Sequence, residues 1–416
     1  MATIGVIGGG VVGVSCALHL RRDGHDVVLF ERDRIAAGAS FGNAGILSSG
    51  GCVPLGMPGV IGRIPGMLLD PHGPLVIRWH YLVRLFPWLV RLLRSSSTSS
   101  VERISIALAS LMAGADEAYR DLLNEDYARF VAQKGLLFPY KNTASFEAGA
   151  AARDLRRRRG VSFHVLNTDE IRQLEPALST DHHKAIYFPD ARHALDPEQL
   201  TTHVSALFER EGGEIVRAEV CRLEPGRGSR PAVRLKAGSR LFEKIVVAAG
   251  AWSKALARTA GARVPLDTER GYHAMLPSPG VTVRVPIISG DHSIAITPMA
   301  TGLRISGTVE FAGLNAPADF GRADRMVEIA ERLLPGLRRD GLTRWLGFRP
   351  SLPDSMPVIG PSASDPNILF AFGHGHLGVT YGAITGRLVA DMVRDRKPSI
   401  DLAPFSPRRF GLTPFL

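Results

Sequence analysis

A chain of 416 residues with 45% hydrophobic and 22% charged residues can bury a large core, which excludes fibrous, low-complexity and disulfide-dense proteins. The formal charge of +10 favours anionic partners such as acidic substrates, phosphate-bearing cofactors or an anionic membrane surface, whereas nucleic acid is disfavoured because no recognised binding motif accompanies the charge. The three cysteines are far apart, and we find neither a signal peptide nor an apolar run of about 18 residues, so we expect a cytoplasmic protein without a transmembrane helix.

Residues 1–31 predict a strand, a glycine turn, a helix and a second strand. The turn Gly8-Gly9-Gly10-Val11-Val12-Gly13 satisfies G-x-G-x-x-G between an apolar run at 3–7 and a helix at 11–22. Such glycines let the backbone approach a pyrophosphate, which lies at the positive end of the helix. Glu31 closes the second strand, where its carboxylate can accept hydrogen bonds from an adenosine ribose. This unit is therefore predicted to bind a dinucleotide.

The rest of the chain alternates between helical and strand patterns. Residues 54–94 are rich in proline, glycine and large apolar side chains, and 79–94 has helical character. Further helices are expected at 102–133, 148–159, 197–211, 323–333 and 379–394, and strands at 214–220, 231–242, 244–248, 368–372 and at several places between 265 and 310.

The segment after the second strand narrows the dinucleotide to a flavin. Residues 38–45, Gly-Ala-Ser-Phe-Gly-Asn-Ala-Gly, suit close approach to a phosphate and a flat ring. With this segment the sequence resembles the FAD-dependent D-amino-acid oxidase/dehydrogenase (DAO) family, which includes glycine and sarcosine oxidases, and most closely the bacterial D-amino-acid dehydrogenases. Stretches at 245–252, 345–360 and 372–378 also match, so the resemblance covers essentially the whole chain.

The resemblance implies an α/β fold with an α+β insert. A discontinuous, Rossmann-like FAD-binding domain is expected from residues 1–52, 187–256 and 340–416. Residues 53–186 and 257–339 are expected to form an inserted substrate-binding domain with an antiparallel sheet, which carries an apolar and basic insertion at 54–94.

The resemblance also implies FAD as a non-covalent cofactor. Some relatives attach flavin through a cysteine near the segment that matches 347–350, and none of the three cysteines lies there. The motif and the resemblance together assign to the cofactor Gly8, Gly10, Val12, Gly13, Glu31, Arg32, Ser40, Asn43, Ala44, Gly45, Val220, Ala249, Gly250, Trp252, Gly375, Leu377, Gly378, Val379 and Thr380.

Arg349 is the main candidate for substrate binding. A buried amino-acid carboxylate needs a bidentate, permanently charged partner, and the family's G-L-R-P arginine, here in Gly-Phe-Arg-Pro, has that role. Tyr272 is a second candidate, although its pattern fits an ordinary sheet tyrosine equally well. His374 and His376 lack partners with metal-ligand spacing, so we predict no metal site; His376 is kept as a substrate contact.

The expected reaction is FAD-dependent oxidation of a small D-amino acid or of a D-proline or hydroxyproline type of imino acid. The α-hydride passes directly to flavin N5, so no protein group is assigned as a catalytic acid or base. The resulting imine hydrolyses or stays cyclic, and an acceptor such as quinone takes the electrons. Alternatives are a glycine or sarcosine type of amine oxidase that uses oxygen, and a flavin subunit of a larger electron-transfer complex. The glycine motif alone also fits a nicotinamide-linked dehydrogenase.

The basic and apolar residues of 79–94 leave three interpretations open. They can pack as an ordinary core helix or contact another subunit of a homo- or hetero-oligomer, and the pattern slightly favours these. They can also lie on an anionic membrane, which would make the protein peripheral on the inner face of the cytoplasmic membrane.

Overall fold

A six-stranded sheet is built around the amino-terminal strand. The computed structural model describes residues 1–58, 75–226 and 228–411. With elements numbered in chain order, the strands of this sheet are β1 (Thr3–Ile7), β2 (Asp26–Glu31), β10 (Glu214–Arg217), β14 (Lys244–Val247), β20 (Val358–Pro361) and β21 (Ile368–Phe372). Their order is β10-β2-β1-β14-β21-β20, and all neighbours are parallel except β20 and β21. Parallel strands are normally covered on both faces, which explains their nearly continuous apolar sequences.

Three helices pack together beside this sheet. They are α1 (Val11–Arg22), α9 (Pro197–Arg210) and α12 (Gly378–Val393), and α1 contacts both of the others. Gly386 permits the close approach of α12 to α1, because an added Cβ would lie 2.7 Å from the main chain of Ser15. This packing fixes the first turns of α1 and α12 next to each other at the same edge of the sheet.

A nine-stranded sheet forms the other half of the fold. Its strands are β4 (Leu75–Ile77), β6 (Leu136–Tyr140), β7 (His164–Leu166), β8 (Lys184–Phe188), β15 (Asp267–Leu276), β16 (Ile287–Ile288), β17 (Ala295–Met299), β18 (Gly302–Phe311) and β19 (Thr343–Ser351). The order is β19-β15-β18-β17-β16-β6-β8-β7, and β4 pairs with β18 beside that path. Two small three-stranded sheets consist of β11 (Val220–Glu224), β12 (Ala232–Leu235) and β13 (Gly238–Leu241), and of β3 (Ile46–Leu47), β5 (Val131–Ala132) and β9 (Arg192–Ala194).

The remaining helices surround these sheets. In the part of the chain that the structure describes they are α2 (Trp79–Ser95), α3 (Thr98–Ala113), α4 (Ala115–Leu123), α5 (Tyr127–Phe130), α6 (Thr143–Ala148), α7 (Ala150–Arg158), α8 (Thr168–Leu174), α10 (Ser253–Thr259) and α11 (Gly321–Leu333). Helix α11 covers one face of β15 and β18, where Met326 and Ala330 join the same apolar cluster as Ala274 and Ile305. The opposite face of β15 is turned toward residues 41–43.

The structure differs from the sequence-based expectations at three places. Strand β19 belongs to the nine-stranded sheet, although it lies after residue 340, where the sequence predicts that the FAD-binding domain resumes. The single strand expected at 214–220 is divided between β10 and β11, which lie in different sheets. The region 102–133 contains three helices rather than one or two. Part of the predicted insertion, 59–74, lies outside the described residues.

Candidate active site

A cleft with a volume of about 590 Å³ lies at the carboxyl ends of β1, β2, β14 and β21. One wall consists of the loops that follow these strands, and the other includes residues 345–348 of β19. The carboxyl edge of a parallel sheet is the usual ligand site of such folds, because the loops there can diverge and helix N-termini point into the space between them. The cleft therefore lies where the glycine motif predicts a dinucleotide.

The glycine turn has the geometry that a diphosphate requires. Gly8 has a φ of +111°, and an added Cβ would lie 2.5 Å from the carbonyl oxygen of Ala248. A Cβ at Gly13 would overlap the carbonyl oxygen of Gly8, so this glycine sets how closely α1 approaches β1. Helix α1 begins at Val11, whose N–H donates to Ser40 Oγ at 2.9 Å. The segment 38–45 is thereby attached to the positive end of the helix.

Glu31 and Arg32 lie at the end of the cleft beside β2. The Glu31 carboxylate accepts hydrogen bonds from the Gly9 N–H at 2.6 Å and the Asp33 N–H at 2.9 Å. These bonds hold the glycine turn, and the carboxylate has further lone pairs for a ribose hydroxyl. The Arg32 guanidinium lies 3.9 Å from the ring centroid of Trp252, which is a stacking geometry.

Most of the predicted cofactor residues line this cleft. Those that do are Gly8, Gly10, Val12, Glu31, Arg32, Ser40, Asn43, Val220, Ala249, Gly250, Trp252, Gly375, Gly378 and Val379. The other five are Gly13, Ala44, Gly45, Leu377 and Thr380, and they lie next to lining residues in the chain or beneath them. Thr380, for example, donates to the Ile46 carbonyl and accepts from the Ser48 N–H, so it supports the segment that continues from Gly45.

The loop before α12 lines the cleft and contacts β19. The Gly375 N–H donates to the Pro350 carbonyl at 2.8 Å, which connects this loop to β19. His374 is buried, with Nε2 3.0 Å from Thr385 Oγ1, so it supports the loop. His376 is solvent-accessible, but the surrounding protein and the charge of Arg349 lower its pKa to about 4. Its imidazole is therefore neutral at pH 7.

A β-bulge in β18 holds the guanidinium of Arg349. The pairing of β15 with β18 shifts between Arg270 and Tyr272, and Thr308 within the shift has a φ of +55°, which is unfavourable for a β-branched residue. This conformation directs two carbonyls at one side chain. Arg349 donates from Nη1 to the Thr308 carbonyl at 2.9 Å and from Nη2 to the Gly307 carbonyl at 3.2 Å. The remaining N–H groups of Arg349 are left for a ligand.

A second charged side chain lies beside Arg349. Glu269 pairs with Arg349 in the antiparallel register of β15 and β19, so both side chains leave the same face of the sheet. Glu269 accepts a hydrogen bond from Ser351 Oγ at 2.5 Å and is only 3% exposed. Burial raises the pKa of Glu269, whereas Ser351 and the charge of Arg349 act in the opposite direction.

Tyr272 lies on the other face of the sheet. Its ring joins the apolar cluster under α11, and its hydroxyl donates to Glu310 at 2.7 Å and accepts from the Asp319 N–H at 3.0 Å. Side chains one residue apart on a strand point to opposite faces, and Gly271 is the residue that the Arg349 guanidinium covers. The structure therefore separates Tyr272 from Arg349, and we leave Tyr272 out of the substrate site.

Replacing Tyr272 with phenylalanine is expected to affect stability and not substrate binding. The change removes the hydrogen bonds that the Tyr272 hydroxyl makes with Glu310 and with the Asp319 N–H. Their loss should lower the free energy of unfolding by about 1–2 kcal/mol. Because the side chain faces away from Arg349, KM should change by less than about twofold. Denaturant unfolding and steady-state kinetics on one preparation measure both quantities, and a large rise in KM would return Tyr272 to the substrate site.

Some residues at this site carry no clear sequence signal. Arg304 on β18 donates from Nη1 to the carbonyls of Phe41 and Asn43, at 3.0 and 2.7 Å, and so positions the cofactor segment. His273 stacks against both Phe41 and Trp345, whose rings also contact each other. Only the bulge had a detectable signal, because Gly307 inside an otherwise β-rich run is typical of one.

Comparison with known proteins decides the family. The sequence model of the DAO family, described as FAD dependent oxidoreductase, matches residues 3–392. The chain belongs to the DAO family. A D-amino-acid oxidase of Bradyrhizobium diazoefficiens is 37% identical, over 98% of each chain, and a D-amino acid dehydrogenase of Sinorhizobium medicae is 29% identical, over 98% of this chain and 99% of its own. Glycine oxidase from Geobacillus kaustophilus shares the fold, with a TM-score of 0.74 at 21% identity over 98% of this chain and 99% of its own.

As a DAO-family member, the protein is an FAD-dependent oxidoreductase. The cleft fits that cofactor on three grounds of its own: a glycine turn that excludes side chains, an acidic residue after β2 that can bind a ribose, and the N-termini of two helices at its border. The resemblance that predicts FAD is thus confirmed at the level of the family. None of the helices in the described ranges is long and apolar enough to cross a membrane.

Proposed function

We propose that this enzyme oxidises the bond between Cα and nitrogen in a small D-amino acid or in an imino acid of the D-proline or hydroxyproline type. The observation that carries the proposal is Arg349, whose guanidinium is fixed by two main-chain carbonyls beside the loop that begins α12. A preoriented guanidinium suits a carboxylate, because two parallel N–H groups match its two oxygens. The D-amino-acid oxidase and dehydrogenase names of the relatives support the same substrate class.

The residues of the chain would orient the substrate and stabilise charge. Arg349 would bind the carboxylate, which leaves Cα and the amine to face the cleft. Bound FAD supplies the acceptor for the α-hydride at its N5 position. The first turn of α12 has no side-chain cap, so its N–H groups favour negative charge at the neighbouring edge of the cleft. Neutral His376 does not compete with Arg349 for the carboxylate. The imine product would hydrolyse to a keto acid and ammonia, or remain cyclic for a proline.

The test is the visible spectrum of the purified enzyme during anaerobic addition of amino acids. D-alanine, D-proline, D-hydroxyproline, their L-enantiomers, glycine and sarcosine form the panel. Bleaching of the flavin bands by D-amino acids or D-prolines would support the proposal and identify the substrate. Bleaching only by glycine and sarcosine would favour the amine-oxidase alternative, and bleaching by none of them would contradict both.

We further propose that a quinone takes the electrons, which requires the enzyme to meet a membrane. The D-amino acid dehydrogenase relatives support a dehydrogenase, whereas the relative with 37% identity is named an oxidase. Turnover with a soluble quinone analogue should therefore exceed turnover with oxygen under air. Faster reoxidation by oxygen in stopped-flow experiments would favour an oxidase.

Helix α2 offers a surface for membrane contact. Four apolar side chains on one side of the helix are exposed to solvent: Trp79 by 74%, Val83 by 85%, Phe86 by 63% and Leu93 by 39%. Arg84 and Arg94 are also exposed, and residues 79–95 contain no aspartate or glutamate. The other side of the helix packs through Leu85 and Trp88 against Phe311 of β18. An apolar stripe with cations beside it complements an anionic bilayer better than it complements water.

Replacing Trp79 and Phe86 together with serine is expected to weaken binding to phosphatidylglycerol vesicles by at least about tenfold, because both side chains would enter the lipid interface. Flotation of the FAD-loaded enzyme with these vesicles, and with phosphatidylcholine vesicles as the uncharged reference, measures the effect. Leu241→Ser is the matched control, because Leu241 is 62% exposed on β13, away from α2. No binding of the wild type to anionic vesicles would contradict the membrane proposal.

A further inference from the structure

The carboxylate of Glu269 lies in a position that substrate binding must affect. Glu269 and Arg349 are directly paired on neighbouring antiparallel strands, where Cα atoms are about 4.5–5.5 Å apart. Both side chains leave the sheet on the face turned toward residues 41–43, and neither belongs to the cluster under α11. Glu269 is therefore the acidic neighbour of the group proposed to bind the substrate carboxylate.

The surroundings of Glu269 define its electrostatic balance. On β15, Asp267 lies two residues before Glu269. On the neighbouring strand β19, Glu269 faces Arg349 and Ser351. Asp267 is itself bonded to the Tyr81 hydroxyl of α2 and interacts with Lys254 of α10. His376, from the loop before α12, faces Arg349.

Binding of a ligand carboxylate changes this balance. Without a ligand, the negative charge of Glu269 partly balances the positive charge of Arg349. With a ligand, a second carboxylate enters the field of the same guanidinium, and two neighbouring carboxylates in a desolvated site favour a proton on one of them. The charge of Arg349 disfavours a proton on His376, which faces it, whereas burial raises the pKa of Glu269. Asp267 accepts a hydrogen bond from the Tyr81 hydroxyl.

We propose that Glu269 takes up a proton when a carboxylate binds Arg349. The negative charge of the ligand then replaces that of Glu269. This inference rests on the proposed role of Arg349. For an amino-acid zwitterion the protons then balance within the complex: the ammonium loses one, Glu269 gains one, and the amine becomes neutral without a change in net charge. A neutral amine is what loss of the α-hydride requires. Glu269 is thus a positioning residue that sets the protonation state of the bound substrate.

The sign of the pH dependence follows from this scheme. The pKa of Glu269 is higher in the complex than in the free enzyme, and the ligand binds the protonated form more tightly. The Kd should therefore be constant below the pKa of the free enzyme, rise by up to about tenfold per pH unit between the two pKa values, and become constant again above the pKa of the complex. Arg349 stays charged throughout this range.

The experiment is isothermal titration of the FAD-loaded enzyme with benzoate from pH 5 to 9, in pairs of buffers with different ionisation enthalpies. Benzoate has a carboxylate but neither an amine nor an α-hydrogen, so it binds without reacting and every proton taken up comes from the buffer. For the wild type, uptake should approach one proton per benzoate where Kd rises with pH. For Glu269→Gln, uptake should vanish and Kd should be independent of pH, with tighter binding than wild type at pH 8.5.

Two further variants separate this role from a structural one. Ser351→Ala removes the hydrogen bond that stabilises the charged form of Glu269, so the rise in Kd should begin at higher pH. Glu175→Gln is the matched control, because burial also raises the pKa of Glu175, which bonds to the N–H groups of Arg284 and Val285. It should keep the wild-type uptake.

Four results would overturn the inference. Binding to the wild type without proton uptake would exclude it and leave the proposed function intact. Equal uptake by wild type and Glu269→Gln would assign the proton to another group. A purely structural role would show as weaker binding by Glu269→Gln at every pH with an unchanged slope. If benzoate does not bind the wild type at all, the carboxylate site at Arg349 fails together with this inference.

Discussion

Arg349→Ala is expected to lower kcat/KM for the substrate by about a hundredfold, mainly through KM, while FAD stays bound. A bidentate hydrogen bond between two charged groups contributes roughly 3 kcal/mol, which corresponds to that factor. The guanidinium lies over Gly271 on the wall formed by the nine-stranded sheet, so its loss leaves the glycine turn at residues 8–13 intact. Anaerobic flavin reduction at increasing substrate concentration separates weaker binding from slower chemistry.

Two variants give this prediction its controls. Arg349→Lys keeps the charge but cannot form two parallel hydrogen bonds, so its KM should lie between those of wild type and alanine variant. Arg344→Ala removes another arginine of β19, one that is exposed and paired with Asp324, and it should leave kcat/KM unchanged. Wild-type kinetics for Arg349→Ala would show that the carboxylate binds elsewhere.

Gly13→Val should yield a protein that cannot retain FAD. The first atom of the new side chain would already overlap the carbonyl oxygen of Gly8, and relief requires α1 to move away from β1. Such overpacking against main-chain atoms costs at least about 1–3 kcal/mol of unfolding free energy. It also displaces the helix N-terminus from the diphosphate position. The ratio of flavin to protein absorbance after purification measures the loss.

Gly321→Ala serves as the control for the glycine substitution. Gly321 begins α11. A Cβ added there would lie 3.3 Å from a terminal side-chain oxygen of Asp319, which can move aside. This variant should be as yellow and as stable as the wild type. A Gly13→Val protein with a full complement of FAD would show that the turn tolerates a wider separation of helix and strand.

The nucleotide-binding part of the fold is readable in the sequence because its signals are local. Helix α1 and strand β21 have the predicted limits, since a glycine turn and an uninterrupted apolar run define them within a few residues. Fourteen of the predicted cofactor residues line the cleft, and most of them belong to short segments that follow a strand of the parallel sheet.

The second wall of the site could not be predicted in this way, because it depends on pairing between distant strands. Arg304 reaches Phe41 across more than 260 positions of the chain, and no local pattern indicates that contact. Tyr272 illustrates the same difficulty, since a shift of one residue in a strand moves a side chain to the other face. The sequence predicts strands at several places between 265 and 310, but it offers no means of deciding which of the alternating side chains of β15 meets the cleft.

Arg349 and Pro350 are consecutive, and their adjacency limits the distance between two contacts of the site. In the proposed function Arg349 binds the substrate carboxylate, and the carbonyl of Pro350 accepts a hydrogen bond from the Gly375 N–H in the loop that lines the cleft. On that proposal, a single peptide unit fixes the distance between the bound carboxylate and this loop. An α-amino acid presents its oxidisable C–H one bond from the carboxylate, whereas a β-amino acid presents it one bond further away. The fixed distance therefore selects for the spacing between acid and amine and does not depend on the substrate's side chain. Discrimination among α-amino acids has to come from other residues around the site.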